Sequence, residues 1–586
     1  MIDSLVFQCM PCCSLDTQRH SAPDWNFNMR TAIAFGAFFF ALLLGLLACR
    51  GPAPQRASAA ISATRMAKRL QHLIGPDLRT HSSGTAAGKA FLDRLQAELE
   101  SLNVQTRRLT WTTTTPKTRT KPHAELAAGA ELTNLLATLP GQQPDLAPIL
   151  VVTHHDSCPW GPGAGDAGSC VVALVEHCRM LSQQQASHQR TVHYLFTDSE
   201  EYGLVGAKHF ARSNPLPIAT PAFVLNFDAR GTSGGVPMFE INRVGHESAK
   251  TLLGGLARPK ITSSLAVTVY RQLPNKTDFT IWRTELDQPG FNFATIGGAH
   301  RYHTPQDAPE NVSRRTLQHM GDHITSMHRR LDRLSDQQLA NLFAKDNSEA
   351  IFFDVFGAFV VNYPAWLQTS FAAASCCMLF ALWWLIGNHR TAMGWAQIQI
   401  QCLCLLAAIA IGLGLQGLLL ATAFRSVRYT PYDLPLGLLT IGLALAAAWT
   451  VRDWGIRKWK RLPLSESDLR TWQQRTWLLG AAFALVVAWR LPGGAYLLSI
   501  PVTVFSITAT VVTTRIGTRP QSNQRRQRAL ASLPSWTGWL AVCVLVAPVL
   551  VLLVQALGPW RLPLYAGIAG VLAMIMPYQP VTAKTA

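Results

Sequence analysis

From residue 365 to residue 580 the chain is a succession of uncharged apolar blocks separated by short Arg-rich or Pro-containing connections. About 20 apolar residues make a helix long enough to cross the hydrocarbon layer of a bilayer, where every backbone polar group must be satisfied within the element. Seven such blocks are read at 366–387, 396–424, 434–450, 476–489, 493–513, 535–556 and 562–578, the fourth being the shortest. An eighth, Thr31 to Cys49, lies near the start of the sequence. Residues 50–345 hold instead most of the acidic and histidine side chains. The pattern predicts an N-terminal cytoplasmic segment (1–30), a transmembrane anchor (31–49), a water-facing domain (50–345), a linker (346–365) and an all-α multi-spanning membrane domain (366–580). With 48% hydrophobic and 15% charged residues, the chain is too apolar to be wholly soluble.

Lys and Arg are retained on the cytoplasmic side of short loops. The loops after the second, fourth and sixth spans carry Arg390; Arg452, Arg457, Lys458, Lys460, Arg461, Arg470 and Arg475; and Arg515, Arg519, Arg525, Arg526 and Arg528. The alternate loops carry only Arg425, Arg428, Arg490 and Arg561. Parity then places residues 50–365 outside the cytoplasm: periplasmic in a bacterium, lumenal or vacuolar in a eukaryote. The same distribution explains much of the +18 formal charge, and no basic stripe interleaved with aromatics points to nucleic acid. Read from Met29, the first block also has the layout of a secretory signal, with Leu46-Leu47-Ala48-Cys49 similar to a lipoprotein cleavage box. A retained anchor is the favoured reading, and the domain is exported under either. Cys9, Cys12 and Cys13 have no partner cluster nearby, and Cys158, Cys170 and Cys178 allow one disulfide but imply no disulfide framework.

Within 50–345, β-like and helical segments alternate. "APILVVTHH", "TVHYLFT", "AFVLNFD" and "FNFATIGG" read as strands; "AGKAFLDRLQAELESL", "GSCVVALVEHCRML", "GLVGAKHFA" and "RRTLQHMGDHITSMHRRL" read as helices. Such alternation implies an α/β fold with a mostly parallel sheet and helices on both faces. "AIFFDVFGAFVV" (350–361) is too short to span and is interrupted by Asp354; a strand or a membrane-surface element is expected.

Ligand sites in such sheets lie beyond the carboxyl ends of the strands. The first of these strands ends at His154, the second runs into Asp198-Ser199-Glu200-Glu201, the third ends at Asp228, and the fourth leads through Gly297 and Gly298 to His303. Between them, Gly163, Gly165 and Gly168 spell G-x-G-x-x-G. A dinucleotide loop needs its first glycine directly after the strand. Here residues 155–162 intervene and Asp166 would face the phosphates, so a metal is the better reading. Zinc takes imidazole and carboxylate ligands, and a pair of zinc ions needs a shared carboxylate. Asp166 on its glycine-rich loop suits that bridge.

"THHDS", "GPGAGDAGSCVVALVE", "FTDSEEYGLVGAKHF", "LNFDARG" and "YHTPQD", in this order and spacing, resemble the di-zinc exopeptidases of the aminopeptidase Y and bacterial leucyl aminopeptidase type. The resemblance covers roughly residues 75–335 and implies a zinc exopeptidase-like fold. It implies that His154 and Asp228 bind one zinc, that Glu201 and His303 bind the other, and that Asp166 bridges them. Glu200 would be the general base and Asp156 the carboxylate that orients His154; His155 is not made a ligand. The multi-spanning architecture resembles the family's endoplasmic-reticulum and vacuolar membrane metallopeptidases.

The implied function is a membrane-anchored, zinc-dependent aminopeptidase that hydrolyses N-terminal residues of peptides with a bridging hydroxide. A water shared by zinc ions loses its proton far more readily than bulk water. Adjacent residues on an extended backbone point opposite ways, so Glu200 and Glu201 can serve as base and ligand only if the chain bends at "TDSEEYG". Another exopeptidase or amidohydrolase on the same scaffold is the alternative, as is a transporter or receptor with an inert ectodomain. The spans, however, contain no Asp, Glu, Lys or Arg, which transport would lead one to expect. Tyr302, beside His303, is read either as a substrate-oxygen donor or as packing. His319 and His323 are expected on the solvated face of the closing helix, since H-E-x-x-H is absent there.

Overall fold

The computed structural model describes residues 29–113, 126, 129–183, 188–213, 222–344, 349–386, 391–421, 429–459, 466–517 and 524–577. The Cys9–Cys13 cluster of the expected cytoplasmic segment lies outside them, as do Arg390, Arg425, Arg428, Lys460, Arg461 and Arg519 of the counted loops.

The chain begins with helices α1 (Met29–Ala48), α2 (Ala63–Ile74) and α3 (Ala86–Glu100), then β1 (Gln105–Thr112), β2 (Glu131–Leu139), β3 (Ile149–His154), α4 (Cys170–Gln183) and β4 (Val192–Thr197). It continues through α5 (Val205–Ser213), β5 (Phe223–Ala229), β6 (Met238–Asn242), α6 (His246–Leu253), α7 (Ser264–Gln272), α8 (Phe279–Thr284), β7 (Gly290–Thr295), α9 (Arg314–Asp332) and α10 (Asp336–Leu342). A hairpin of β8 (Ala350–Val355) and β9 (Phe359–Pro364) leads to α11 (Ala365–Ile386), α12 (Thr391–Leu420), α13 (Asp433–Trp459), α14 (Glu466–Arg490), α15 (Tyr496–Gly517), α16 (Gln524–Leu557) and α17 (Leu562–Ile575).

The seven-stranded sheet has the order β1-β2-β4-β3-β5-β7-β6. Its centre, β4-β3-β5-β7, is parallel, whereas β1, β2 and β6 pair antiparallel at the edges. The expected mostly parallel sheet is therefore a mixed one. The central strands are buried along their whole lengths, which is why they read as continuous apolar runs. Successive side chains of a strand point to opposite faces. In β3, Ile149 and Val151 join the apolar layer of α2, α3, α4 and α9, while Leu150 and Val152 meet Phe210 of α5 and Phe279 and Trp282 of α8. Helices thus cover both faces. The edge strands escaped the sequence reading because β1 carries Arg107 and Arg108 on its exposed rim and β6 has only five residues.

The C-terminal part is all helical. Among the described residues six helices, α1, α11, α12, α13, α15 and α16, are long and apolar enough to cross a membrane, against eight spans read from the sequence. The other two are α17, an apolar helix of 14 residues, and α14, whose first half carries Glu466, Asp468, Arg470 and Arg475. α1 packs into this bundle, where the Trp539 indole N–H donates to the Ala34 carbonyl at 3.1 Å.

The sheet-bearing part rests on one end of the bundle. Ile351, Phe353 and Tyr363 of the hairpin form an apolar cluster with Tyr496 and Leu545. Ser264 Oγ donates to the Gly493 carbonyl at 2.8 Å, and the Arg230 guanidinium donates to the Tyr429 hydroxyl. Among the described residues no disulfide forms; Cys49, Cys158, Cys170 and Cys178 are free thiols.

Candidate metal centre

Two adjacent parallel strands bring the first pair of donors together. His154 is the last residue of β3 and Asp228 lies near the end of β5; His154 Nε2 sits 3.6 Å from Asp228 Oδ1. On the other side of β3, the chain leaving β4 turns sharply, with Ser199 at φ +62°. That is the bend required for Glu200 and Glu201 to face different groups.

Asp166 joins the two halves. Its Oδ1 lies 3.2 Å from His154 Nε2, and its Oδ2 lies 3.1 Å from His303 Nε2. His303 Nε2 in turn lies 2.7 Å from Glu201 Oε1. The donor atoms of His154, Asp166 and Asp228 lie within 4.8 Å of one another, and so do those of Cys158, Glu201 and His303. Asp166, Glu201, Asp228 and His154 are buried. His155 stays outside both groups, its Nε2 paired with the Thr133 carbonyl at 2.9 Å.

The glycines flanking Asp166 shape this loop. Gly163 has φ +65°, and a Cβ there would stand 2.6 Å from the Ser157 Cβ. A Cβ on Gly165 would stand 2.7 Å from an Asp307 carboxylate oxygen. The G-x-G-x-x-G pattern therefore serves to fold the backbone around Asp166.

Asp156 reaches two partners. Its backbone carbonyl accepts from His154 Nδ1 at 2.9 Å, with the carboxylate 3.4 Å from the same nitrogen. The carboxylate also accepts the backbone N–H groups of Glu200 (3.0 Å) and Glu201 (3.2 Å). It therefore locks the Glu pair to the end of β3.

Asp307 escaped the sequence reading although it closes the quoted motif "YHTPQD". Its carboxylate accepts from the N–H groups of Gly165 (2.6 Å) and Asp166 (3.2 Å), and its carbonyl accepts from the Ala164 N–H (2.9 Å). Burial, reinforced by Asp166, pushes the Asp307 carboxyl up to about 7. Four residues after His303, it ties the loop that carries His303 to the loop that carries Asp166. Asp278 is a second buried carboxyl that was missed, held by the Thr197 hydroxyl at the end of β4.

The electrostatics fit cations. Burial opposes charge on His303, but its hydrogen bonds to Asp166 and Glu201 override that and push it up to about 9. His154, although buried, is likewise raised by Asp156, Asp166 and Asp228. Imidazoles drawn toward protonation in a dry pocket report an excess of carboxylate that a divalent ion would neutralise. Imidazole, carboxylate and thiol are the donor set of zinc.

Residues 134–327, which contain all seven residues singled out from the sequence, match peptidase family M28. This part of the chain is an M28 peptidase domain. Endoplasmic reticulum metallopeptidase 1 of Homo sapiens is 29% identical over 237 residues, 40% of this chain and 26% of that protein. The vacuolar membrane protease of Lachancea thermotolerans is 26% identical over 242 residues, 40% of this chain and 23% of that protein. The matched region thus spans about a quarter of these relatives. Among solved structures, a glutaminyl cyclase of Porphyromonas gingivalis aligns with 47% of this chain and 99% of its own, at 20% identity and a TM-score of 0.37.

The M28 domain opens a cavity of about 980 Å³ onto Asp166, Glu200, Glu201, Asp228 and His303. Burial, reinforced by Asp228 and Glu201, pushes the Glu200 carboxyl well above its usual range. Tyr302 lines the cavity and also stacks on His303, with ring centres 3.7 Å apart. Cys158, which the sequence reading left without a role, is a buried thiol raised by desolvation. His319 and His323 are not on a solvated face. Both are buried, with His319 Nδ1 accepting from the Val236 N–H at 3.0 Å and His323 Nδ1 accepting from the Ala257 N–H at 3.2 Å. The charged residues of α9 gave the wrong impression of which side faces water.

Proposed function

We propose that the chain is a membrane-anchored zinc aminopeptidase whose metal centre holds two ions. The observation that carries this reading is the placement of Asp166, each of whose carboxylate oxygens faces a different histidine. His154, Asp228 and Asp166 would hold one zinc; Glu201, His303 and Asp166 would hold the other, with Cys158 beside the second set.

Bound zinc supplies Lewis acidity, making a water easier to deprotonate and a peptide carbonyl more electrophilic. The protein's own groups do the rest. Glu200 accepts the proton of the attacking water and delivers it to the departing amine, a general-base role worth typically about 10² to 10⁴ in rate. Asp156 fixes the backbone of Glu200 and Glu201 and the ring of His154. Tyr302 lines the cavity beside His303, where its hydroxyl would meet the substrate carbonyl oxygen.

The exported placement of this domain is part of the same proposal. Its polar contacts to the helical part reach Tyr429 and Gly493, which flank the Arg-poor loops that parity assigns to the extracytoplasmic side. The test uses the full chain in detergent: bound zinc is measured by elemental analysis and amino-acid release from free and N-acetylated peptides is compared. Release that requires a free amino terminus and stops with chelation is expected. Cleavage of the blocked peptide from its carboxyl end would overturn the aminopeptidase assignment.

A further inference from the structure

The cavity that reaches Glu200 and His303 at one end is walled at the other by a membrane helix. Val549, Leu552, Leu553, Ala556 and Leu557 of α16 line it. The spacing i, i+3, i+4, i+7, i+8 is one face of a helix. These five side chains are only partly buried, whereas Leu550, Val551 and Val554 on the adjoining face are buried in the bundle. At 1.5 Å per residue, Val549 lies about 12 Å along the axis from Leu557. The apolar stretch of α16 runs from Ala529 to Leu557, so this wall is the C-terminal end of a helix long and apolar enough to cross a membrane. Leu265, Ala266 and Val269 of α7 extend the apolar lining, while Lys208, Asn275 and Lys276 line the cavity elsewhere.

The two walls are fixed to each other. Arg230, two residues beyond Asp228, donates to Tyr429 and lies 5.1 Å from the centre of its ring. The Tyr429 hydroxyl in turn lies 3.5 Å from the Ala556 carbonyl, on the turn of α16 that lines the cavity. Ligand pockets commonly measure about 300–1,000 Å³; at about 980 Å³ this one takes more than a single side chain. A polar segment lying against α16 would lose its hydrogen bonds to water without replacement.

Resting on the peptidase reading above, we infer that the substrate is a membrane-partitioned peptide whose N-terminal residues are apolar and lie against the Val549–Leu557 face of α16. The membrane domain then forms part of the specificity pocket.

The test measures binding rather than turnover. Full-length Glu200→Gln protein in lipid nanodiscs is titrated with two fluorescent peptides that share an N-terminal leucine, one continuing with apolar residues and the other with Ser, Gln and Asn. The apolar peptide should bind about tenfold more tightly or better, the scale of one well-placed apolar contact. Leu553→Trp and Ala556→Trp, both checked for an unchanged melting temperature, should bring the two affinities close to equal. Equal affinities in the parent protein, or a preference untouched in folded tryptophan variants, would overturn the inference. So would lipid that displaces the apolar peptide competitively, because the cavity would then belong to an acyl chain. Selective binding by the Glu200→Gln protein with no amino-acid release by the unsubstituted protein would break the peptidase reading alone, and an active unsubstituted peptidase without preference would break only this one.

Discussion

The acids Glu176 and Asp166 are both buried in the M28 domain, and they are treated in opposite ways. Glu176 is surrounded by Arg65, Arg69 and Arg179 and also accepts the Ser62 N–H, so its charge is neutralised within the chain. Asp166 faces His154 and His303, with Glu201 and Asp228 close by. A fold that supplies three guanidiniums to one acid and imidazoles to another has left the second cluster to be completed from outside. The helical half repeats the first solution: Gln397 donates to the Trp472 carbonyl, and Arg452 to the carbonyls of Ala573 and Met576. Unneutralised acid, rather than buried polarity as such, marks the site.

The contrast breaks most severely at Asp166. Asp166→Ala should abolish metal binding and reduce turnover to background, because in the proposed centre one residue serves both donor sets; elemental analysis of folded protein that still holds its full metal complement would refute this. Glu200→Gln should keep the metal and lose about 10² to 10⁴ in kcat. Near-normal turnover in that variant would remove Glu200 as the base and direct attention to another group lining the cavity.

Asp307→Asn comes next. The amide keeps an oxygen for one of the two N–H groups but offers an NH₂ to the other, so the loop carrying Asp166 shifts. Groups that orient metal ligands typically cost about 10- to 100-fold in affinity or activity when changed. A zinc titration of the variant measures the loss, and an unchanged dissociation constant would show that the loop is held by its glycines alone.

Asp307 also shows how far a sequence carries. The four central strands, their order along the chain and the clustering of His154, Asp166, Glu201, Asp228 and His303 were legible, because buried parallel strands read as apolar runs and candidate donors sit at or beyond their ends. The second residue of a motif is harder: His303 and Asp307 share "HTPQD", but nothing in that string says that Asp307 turns back to meet Gly165, 142 positions earlier. His319 and His323 failed for a related reason. Their helix alternates charged and apolar residues, and only the packing of α9 shows that both rings point inward to satisfy backbone N–H groups. The antiparallel strands β1, β2 and β6 and the mixed character of the sheet were hidden in the same way, since strand order is not written in any one segment.

Acid should separate the two halves. Burial holds the imidazoles of His193, His319 and His328 down at about 4, and those of His177 and His323 are lowered as well. All five lie in the sheet-bearing part of the chain. Above about pH 6.5 neither the folded nor the unfolded state carries these protons, so they contribute nothing to the pH dependence. Below it the unfolded chain binds protons that the folded domain refuses, and stability falls by about 1.4 kcal/mol per pH unit for each such histidine; for His193, His319 and His328 the fall continues to about pH 4. The buried carboxyls of Asp278 and Asp307, held up at about 7, take up protons in the folded domain and act the other way, so the histidine contribution is read by difference: calorimetry between pH 7 and 5 should show His193→Gln losing less of the domain's stability toward acid than the parent, while a second, helical transition stays in place. A single transition moving as one would show that the halves unfold together.

The smallest effect probes the link between the halves. Arg230 follows Asp228 by two residues, and its guanidinium donates to Tyr429 at the start of the segment leading into α13. Tyr429→Phe removes the hydroxyl, and with it the contacts to Arg230 and to the Ala556 carbonyl, but keeps the ring beneath the cation; a hydrogen bond of this kind is worth about 0.5–1.5 kcal/mol. Arg230→Ala removes both contacts, and the double variant closes a thermodynamic cycle that reads their coupling. If the link only fastens the domain to the membrane bundle, the coupling appears in melting and not in kinetics. If it aligns the α16 wall with the metal centre, Tyr429→Phe also raises KM for apolar peptides while leaving that for polar ones in place. That split, measured on one purified protein, decides whether the membrane half is a support or part of the site.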